Sequence, residues 1–340
     1  MSAVYLKHIE VKGLFGYKDI SWEVFRDVNI LGGDNGSGKS TIFHLCHLLL
    51  GYGYVTEPHY AYLADSVTLT FDNGWRMFWD KQLISRDSDR EGGYTYHNIE
   101  TNKVEKDGTF QVQRVRIVDE EGRIGSLDDF VNIVRTAFAS SFEQNILEVQ
   151  RPQGDKKQPN DDKTYLDMLL TSCIAMRNER VTQIFYNYLT QISEKKEDGE
   201  ENANLGISQK DRQYLAAFGD ALMTFFGKDY EIKTGMEAKI SFVHKKSGKL
   251  IKYQDLSLGE KQVLFLIVMT SNMYDEPVLL WLDEPDLGLH VDWQEQLISA
   301  LQLLYPNMQV FVSTHAPSMI VGNQERVVEM SEIETERHGQ

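Results

Sequence analysis

Residues 33–40 read Gly-Asp-Asn-Gly-Ser-Gly-Lys-Ser, with Thr41 following, and this run constrains the fold more than any other stretch of the chain. It fits the pattern G-x-x-x-x-G-K-[ST], and it lies between a short apolar run at 28–31 and a helical pattern at 41–50, the strand–loop–helix setting the pattern requires. Gly33, Gly36 and Gly38 let the backbone curl, so that successive N–H groups across Asp34, Asn35 and Ser37 can face one anion. The helix opening at Gly38 adds its positive dipole end. Lys39 supplies a point charge for terminal phosphates, the Ser40 hydroxyl suits Mg²⁺, and Thr41 extends the cradle.

The rest of the sequence agrees with an α/β layout around a parallel sheet. Residues 4–11 alternate as a strand, and residues 66–118 carry strand patterns separated by the turn signals Asp72-Asn-Gly74 and Asp107-Gly108, which reads as an antiparallel sheet. Helices are expected over 127–137, 164–193, 208–226, 258–273 and 292–304. Buried strands are expected at 278–282 and 309–313, a hairpin over 239–253, and a last strand near 326–330. Residues 151–162 and 194–204 read as polar breaks, and the final ten residues as a frayed tail.

A second motif follows the apolar strand at 278–282: Asp283-Glu284-Pro285. An acid pair at the end of a buried strand is placed to hold Mg²⁺ through Asp283 and to polarise an attacking water through Glu284. A third, Leu256-Ser257-Leu258-Gly259-Glu260, opens a helix ahead of that strand. Taken alone it is a serine N-cap with Glu260 completing a capping box. Its exposed N–H groups and the Ser257 hydroxyl also form an anion site without a lysine.

Together these motifs resemble the ABC ATPase superfamily, in the form found in its SMC, RecF and OLD-like branch. The resemblance runs from Leu6 to about Arg326. It implies a P-loop NTPase, an ABC ATPase head with a parallel core sheet, an antiparallel β-subdomain and a helical signature lobe. It implies ATP and Mg²⁺ as cofactors. ATP is expected at Gly33, Asp34, Asn35, Gly36, Ser37, Gly38, Lys39, Ser40 and Thr41 of one subunit, facing Ser257, Gly259 and Glu260 of a second. Metal is expected at Ser40, Asp283 and Gln144. Asp286-Leu-Gly-Leu-His290 takes the place of the D-loop, and His315 in Ser313-Thr-His-Ala-Pro317 that of the switch histidine. The catalytic set is then Glu284, His315 and Gln144, with Glu143 or Asn145 as alternatives to Gln144. The opening segment resembles RecF- and SMC-like starts, where Lys12 or Lys18 would meet phosphate or adenine, and Phe15 or Tyr17 would stack on the base.

The expected boundaries are 1–145 for the N-terminal ATPase lobe, 146–255 for a helical insertion, 256–330 for the C-terminal ATPase part and 331–340 for a polar tail. The insertion lacks sustained heptads, unlike an SMC arm, and a Toprim nuclease domain after the final strand is not expected. The expected assembly is a homodimer or higher even oligomer working with a separate effector protein, often a nuclease, in prokaryotic antiviral defence; the rivals are a RecF- or SMC-type DNA clamp and the ATP-binding subunit of a membrane transporter. The formal net charge of −16 weighs against a broadly basic DNA-binding surface, while leaving room for one local groove. Two distant cysteines, Cys46 and Cys173, make neither a disulfide framework nor a metal spacing. With no signal-like start and no apolar run long enough to span a bilayer, the expected location is cytoplasmic, with no membrane association.

Overall fold

The computed structural model describes residues 4–52, 63–81, 84–88, 94–98, 104–106, 113–123, 135–140, 164–198, 206–234, 240–274 and 278–337. At its centre is a five-stranded parallel sheet made of β3 (Val28–Gly32), β10 (Arg135–Ser140), β14 (Val278–Asp283), β15 (Gln309–Ser313) and β16 (Val327–Glu329), in the order β10-β14-β15-β3-β16. Every residue of β3, β14 and β15 is buried. Covered on both faces, these strands have no solvent-facing side to alternate with, and they read as largely apolar runs.

Alternation reappears in which core each residue enters. Leu279 and Trp281 point into one core, while Val278, Leu280 and Leu282 point into the other. The first core lies between the parallel sheet, α1 (Lys39–Tyr52) and a six-stranded antiparallel sheet. Aromatic rings fill it: Trp281 stacks on Phe311 at 4.0 Å between centroids, and Phe43 of α1 meets Trp281 edge-on at 5.3 Å. That antiparallel sheet comprises β1 (Leu6–Leu14), β2 (Lys18–Glu23), β4 (Ser66–Phe71), β5 (Arg76–Lys81), β9 (Gln113–Val118) and β17 (Glu334–Glu336), ordered β17-β2-β1-β4-β5-β9. A buried glutamine joins the two sheets. Gln309 of β15 accepts from the Leu6 N–H at 2.9 Å and donates to the Leu6 and Phe25 carbonyls at 2.8 and 2.7 Å. A separate antiparallel sheet holds β6 (Ile84–Ser88), β7 (Tyr94–Asn98) and β8 (Val104–Lys106).

The second core is covered by helices: α2 (Tyr165–Asp198), α3 (Gln209–Phe226), α4 (Leu258–Ser271) and α5 (Val291–Leu304). Helix α3 starts where Ser208 caps the Asp211 N–H. Helices α2 and α4 are pinned by a largely buried ion pair, Lys261 Nζ to Asp167 Oδ1 at 2.8 Å. The small sheet β11 (Tyr230–Thr234), β12 (Ile240–His244) and β13 (Leu250–Ile251) packs against this lobe through Phe226 and Phe242. Helices α6 (Pro317–Ile320) and α7 (Met330–Ile333) are single turns near the end.

Three local expectations are corrected. Residues 135–137, expected at the end of a helix, belong to strand β10, because pairing with β14 from Arg135 to Ser140 outweighs local helical periodicity. The polar break expected from Glu194 begins later, since α2 continues to Asp198. The tail expected to fray is structured as far as β17, which pairs with β2. Its polarity serves ion pairing: Lys18 bonds Glu334 at 2.7 Å, and Arg337 bonds Asp19 and Asp65 at 2.7 Å each.

Candidate functional site

Strand β3 ends at the glycine-rich loop, and α1 begins at Lys39. Gly33, Gly36 and Gly38 have φ of 136°, 76° and 110°, in the region that disfavours side chains. Space matters as much as torsion at Gly38, where a Cβ would stand 3.0 Å from Leu14 and 3.1 Å from Phe15. The loop is thus held against the turn that follows β1, where Phe15 itself adopts φ 54°.

Phe15, Asn35, Gly36, Gly38, Lys39, Ser40, Thr41, Glu284 and His315 line one cavity. Gly33, Asp34, Asn35, Gly36 and Ser37 also border the neighbouring hollow, together with Lys18 and Glu334. Of the aromatic and basic residues singled out in the opening segment, Phe15 borders the first cavity and Lys18 the second. Tyr17 is 47% exposed, and Lys12 pairs with Glu10. The first cavity holds about 120 Å³, well below the ~300–1,000 Å³ typical of pockets that enclose a small molecule. It is one wall of a site.

The chemistry is concentrated at the C-terminal ends of β3, β14 and β15. Lys39 is buried; its Nζ donates to the carbonyls of Gly33 at 2.8 Å and Asp34 at 3.1 Å, and lies 2.9 Å from His315 Nε2. Burial lowers the Lys39 ammonium from its ordinary pKa, with Glu284 and Asp283 drawing it back up. The Ser40 hydroxyl donates to Asp283 Oδ1 at 2.8 Å, and Ser313 Oγ donates to the same oxygen. Ser140, at the end of β10, reaches Asp283 Oδ2 at 3.5 Å.

Glu284 leaves the strand at φ 47°, a left-handed conformation costly for a glutamate. Its N–H is held by Ser313, to the carbonyl at 3.0 Å and the hydroxyl at 3.2 Å. This turn points the carboxylate at His315, 3.5 Å away. Burial raises the Glu284 carboxyl above its ordinary pKa, against the opposing pull of His315.

A metal fits here only with help. Among the described residues no group of three or more His, Cys, Asp or Glu side chains could hold an ion. Ser40 and Asp283 offer one hydroxyl and one carboxylate, a donor set that suits Mg²⁺ when phosphate oxygens and water complete the octahedron. The buried hydroxyl of Ser37 has no hydrogen-bond partner, which fits a loop shaped for an anion. Gln144, Glu143 and Asn145 lie outside the described residues.

Ser257, Gly259 and Glu260 border neither hollow at the loop. Ser257 caps α4 in a capping box: Glu260 Oε2 accepts from the Ser257 N–H and hydroxyl at 2.7 Å each, and the Glu260 N–H reaches Ser257 Oγ at 3.4 Å. Both Ser257 and Leu258 are exposed. Gly259 abuts the turn after Glu284, where an added Cβ would stand 2.6 Å from the Gly288 carbonyl. Gln262 Nε2 ties the same helix to the Pro285 carbonyl at 3.1 Å.

Sequence reading did not single out Ser313, Thr314 or Ser140. The signal for the first two was present, since both lie beside His315 and follow a strand that must neighbour β14. Nothing in the sequence marks Ser140, since the helix expected over 127–137 overlaps only the first half of its strand.

Residues 28–320 match the family model described as "AAA domain, putative AbiEii toxin, Type IV TA system". The chain is 26% identical over 147 residues to the Retron Vc95 probable ATPase of Vibrio cholerae serotype O1 biovar El Tor, covering 39% of this chain and 27% of that protein. It is 29% identical over 111 residues to the Retron Ec83 probable ATPase of Escherichia coli, covering 29% of this chain and 20% of that protein. The matched stretch thus spans about a quarter of the length of these curated relatives. Among solved structures, the SmcHead bound to the C-winged helix domain of ScpA superposes with a TM-score of 0.50 at 14% identity, covering 93% of this chain and 91% of that one, a likeness of fold. Among the described residues, no helix is long and apolar enough to cross a membrane.

Proposed function

The chain belongs to the AAA domain family described as putative AbiEii toxin, Type IV TA system, and is an ABC-type ATPase of the SMC, RecF and OLD-like branch; from that premise we propose that it hydrolyses Mg·ATP in sites shared between two copies. The observation that carries this reading is the division of parts. The anion loop, Glu284 and His315 line one hollow, with Asp283 bonded to Ser40 of that lining, while the exposed cap at Ser257 borders none of it. The hollows at this loop leave room for a second surface to close over a bound nucleoside triphosphate. An exposed helix N-terminus on a twin molecule has the right charge for that task.

In this reading the N–H groups from Asp34 to Gly38 hold the β- and γ-phosphates, and Lys39 leaves the Gly33 and Asp34 carbonyls to pair with them. Ser40 and Asp283 would hold Mg²⁺, which when bound neutralises charge developing between the β- and γ-phosphate oxygens. Glu284 accepts a hydrogen bond from the attacking water and orients it in line with the γ-phosphorus. Its raised affinity for a proton makes it a better base than an exposed glutamate. His315, beside both Lys39 and Glu284, reports whether the γ-phosphate is present. Closing and opening of the pair is the output.

The similarity to retron ATPases supports a role as the ATPase part of a larger defence system, governing a separate effector. Residues 1–145, 146–255 and 256–330 are proposed as N-terminal lobe, insertion and C-terminal part.

The test pairs two variants. Glu284→Gln with Mg·ATP should accumulate dimers in light scattering, and an exclusively monomeric sample would sink the shared-site model. Ser257→Arg should keep ATP affinity and lose hydrolysis; loss of binding as well would mean that the cap serves its own subunit.

A further inference from the structure

Three consecutive residues from the last of β15 onward, Ser313, Thr314 and His315, each engage one of three acids at or just after the end of β14. Ser313 donates to Asp283, Thr314 Oγ1 donates to Asp286 Oδ1 at 2.6 Å, and His315 stands 3.5 Å from Glu284. Glu284 and His315 line the cavity, and Asp283 joins it through Ser40. Thr314 and Asp286 are buried and neither lines the hollow. Thr314 is also fixed on its own side, because its hydroxyl oxygen accepts from the Ala316 N–H at 3.0 Å.

Asp286 begins the turn that leads to the helical lobe. Its carbonyl accepts from the Leu289 N–H at 3.0 Å and from Gln294 Nε2 at 3.1 Å, and Gln294 also donates to the Leu289 carbonyl at 3.0 Å. The turn so held presses its Gly288 carbonyl against Gly259, at the start of α4. A continuous run of packed and bonded groups therefore joins His315 to the helix tip at Ser257: His315, Thr314, Asp286, Gly288, Gly259.

We infer that Thr314 is a positioning residue that couples the phosphate-sensing histidine of a subunit to that subunit's own Ser257 cap, so that occupancy of one shared site sets the geometry offered to the other. The inference rests on the shared-site reading above. A shift of His315 on loss of the γ-phosphate moves its chain neighbour Thr314, and the hydrogen bond carries that displacement into the turn at Asp286–Leu289. A hydroxyl at this position does work that a methyl group of the same shape cannot. Spatial connection alone does not establish coupling, so the test must measure an interaction between the residues.

Hydrolysis rate against ATP concentration is measured for the full-length wild type, Thr314→Val, Thr314→Ser, Asp286→Ala and the Thr314→Val/Asp286→Ala double variant, with ATP binding by calorimetry. Wild type should be cooperative. Thr314→Val should lose that cooperativity and about tenfold in kcat, while ATP affinity per site stays within about twofold, in the range expected when one coupling contact is cut. Thr314→Ser, which keeps the donor, should behave as wild type, and the double variant should be no worse than either single one. Should Thr314→Val fail to fold, Asp286→Ala breaks the same bond from the other side and must show the same loss. A cooperative Thr314→Val enzyme with wild-type kcat overturns the inference and leaves the shared site standing, as does a Thr314→Ser enzyme as impaired as Thr314→Val. A non-cooperative wild type whose hydrolysis is indifferent to Ser257→Arg overturns the shared-site reading, and this inference with it.

Discussion

The Ser40 hydroxyl donates to Oδ1 of Asp283 across 2.8 Å, joining two residues 243 positions apart in the chain. One is the first helical turn after β3 and the other the last residue of β14, with β15 between these strands. Their meeting is a product of the sheet order, and it places a hydroxyl and a carboxylate where a divalent cation would be shared between protein and phosphate.

Asp283→Asn tests what the charge of that pair does. The amide oxygen still accepts from Ser40 and Ser313, so the local fold should survive. The negative charge that favours Mg²⁺ is removed. ATP affinity should become the same with Mg²⁺ as with a chelator, and hydrolysis should fall at least about a hundredfold. Calorimetric titration with ATP in each condition reads the first effect. A variant whose ATP affinity still rises on adding Mg²⁺ would remove Asp283 from the metal site.

The ion pair between Lys261 and Asp167 yields a stability prediction. Asp167→Ala would strand a largely buried ammonium and free the Thr164 cap, costing about 3–5 kcal/mol. Burial alone would raise the Asp167 carboxyl, but the hydrogen bonds from Lys261 and Thr164 outweigh it, and its pKa lies below the ordinary value. The sign follows from that direction. The contribution is complete above the unfolded-state pKa of about 3.9 and is lost as pH falls through the lower folded value. Denaturant unfolding of wild type and variant should therefore differ fully at neutral pH and converge at strongly acid pH. A constant gap across that range would assign the loss to packing instead.

These two examples show what the sequence made legible. The glycine-rich loop and the acid pair were visible because each needs a fixed local spacing: three glycines with Lys39, and two acids at the end of an apolar strand. The pairing of Asp167 with Lys261 was not visible, since no local rule brings residues so far apart together. The same limit hid Ser140, whose strand is defined only by its partner β14. The tail was misread for a related reason. Polar residues at a chain end resemble a frayed segment unless their partners are known, and here Asp19, Asp65 and Lys18 lie more than 250 residues away along the chain.

Gly259→Ala examines the contact between the cap and the turn after Glu284. Alanine is the better helix former, by about 1 kcal/mol. The added Cβ, however, would stand 2.6 Å from the Gly288 carbonyl, a backbone atom that cannot rotate away. Overpacking of this kind costs about 1–3 kcal/mol, so the net change in stability should be small or unfavourable. Hydrolysis should fall while ATP binding is kept, because the loop and Lys39 are untouched. Parallel measurement of melting temperature, ATP affinity and turnover checks this. A stabilised, fully active variant would mean that the turn moves aside freely.

His47 supplies a pH dependence of opposite chemistry. Its Nδ1 lies 3.0 Å from Thr136 Oγ1, and that oxygen also accepts from Trp281 Nε1 at 3.0 Å. With the indole N–H directed at the threonine oxygen, the threonine O–H is free to donate to Nδ1, which leaves the imidazole neutral with its proton on Nε2. Burial first, and the nearby His44 second, lower its pKa to about 4. The folded state therefore resists a proton that the unfolded chain accepts from about pH 6.5 downward. Stability should fall as pH drops from about 6.5 to about 4, by up to about 3 kcal/mol from this residue alone. His47→Gln, whose side-chain oxygen can still accept from Thr136, should flatten that part of the curve while leaving stability at pH 8 nearly unchanged. Equal slopes for the two proteins between pH 6.5 and 4 would show that His47 takes up its proton in the fold, and that the bond to Thr136 does not hold it neutral.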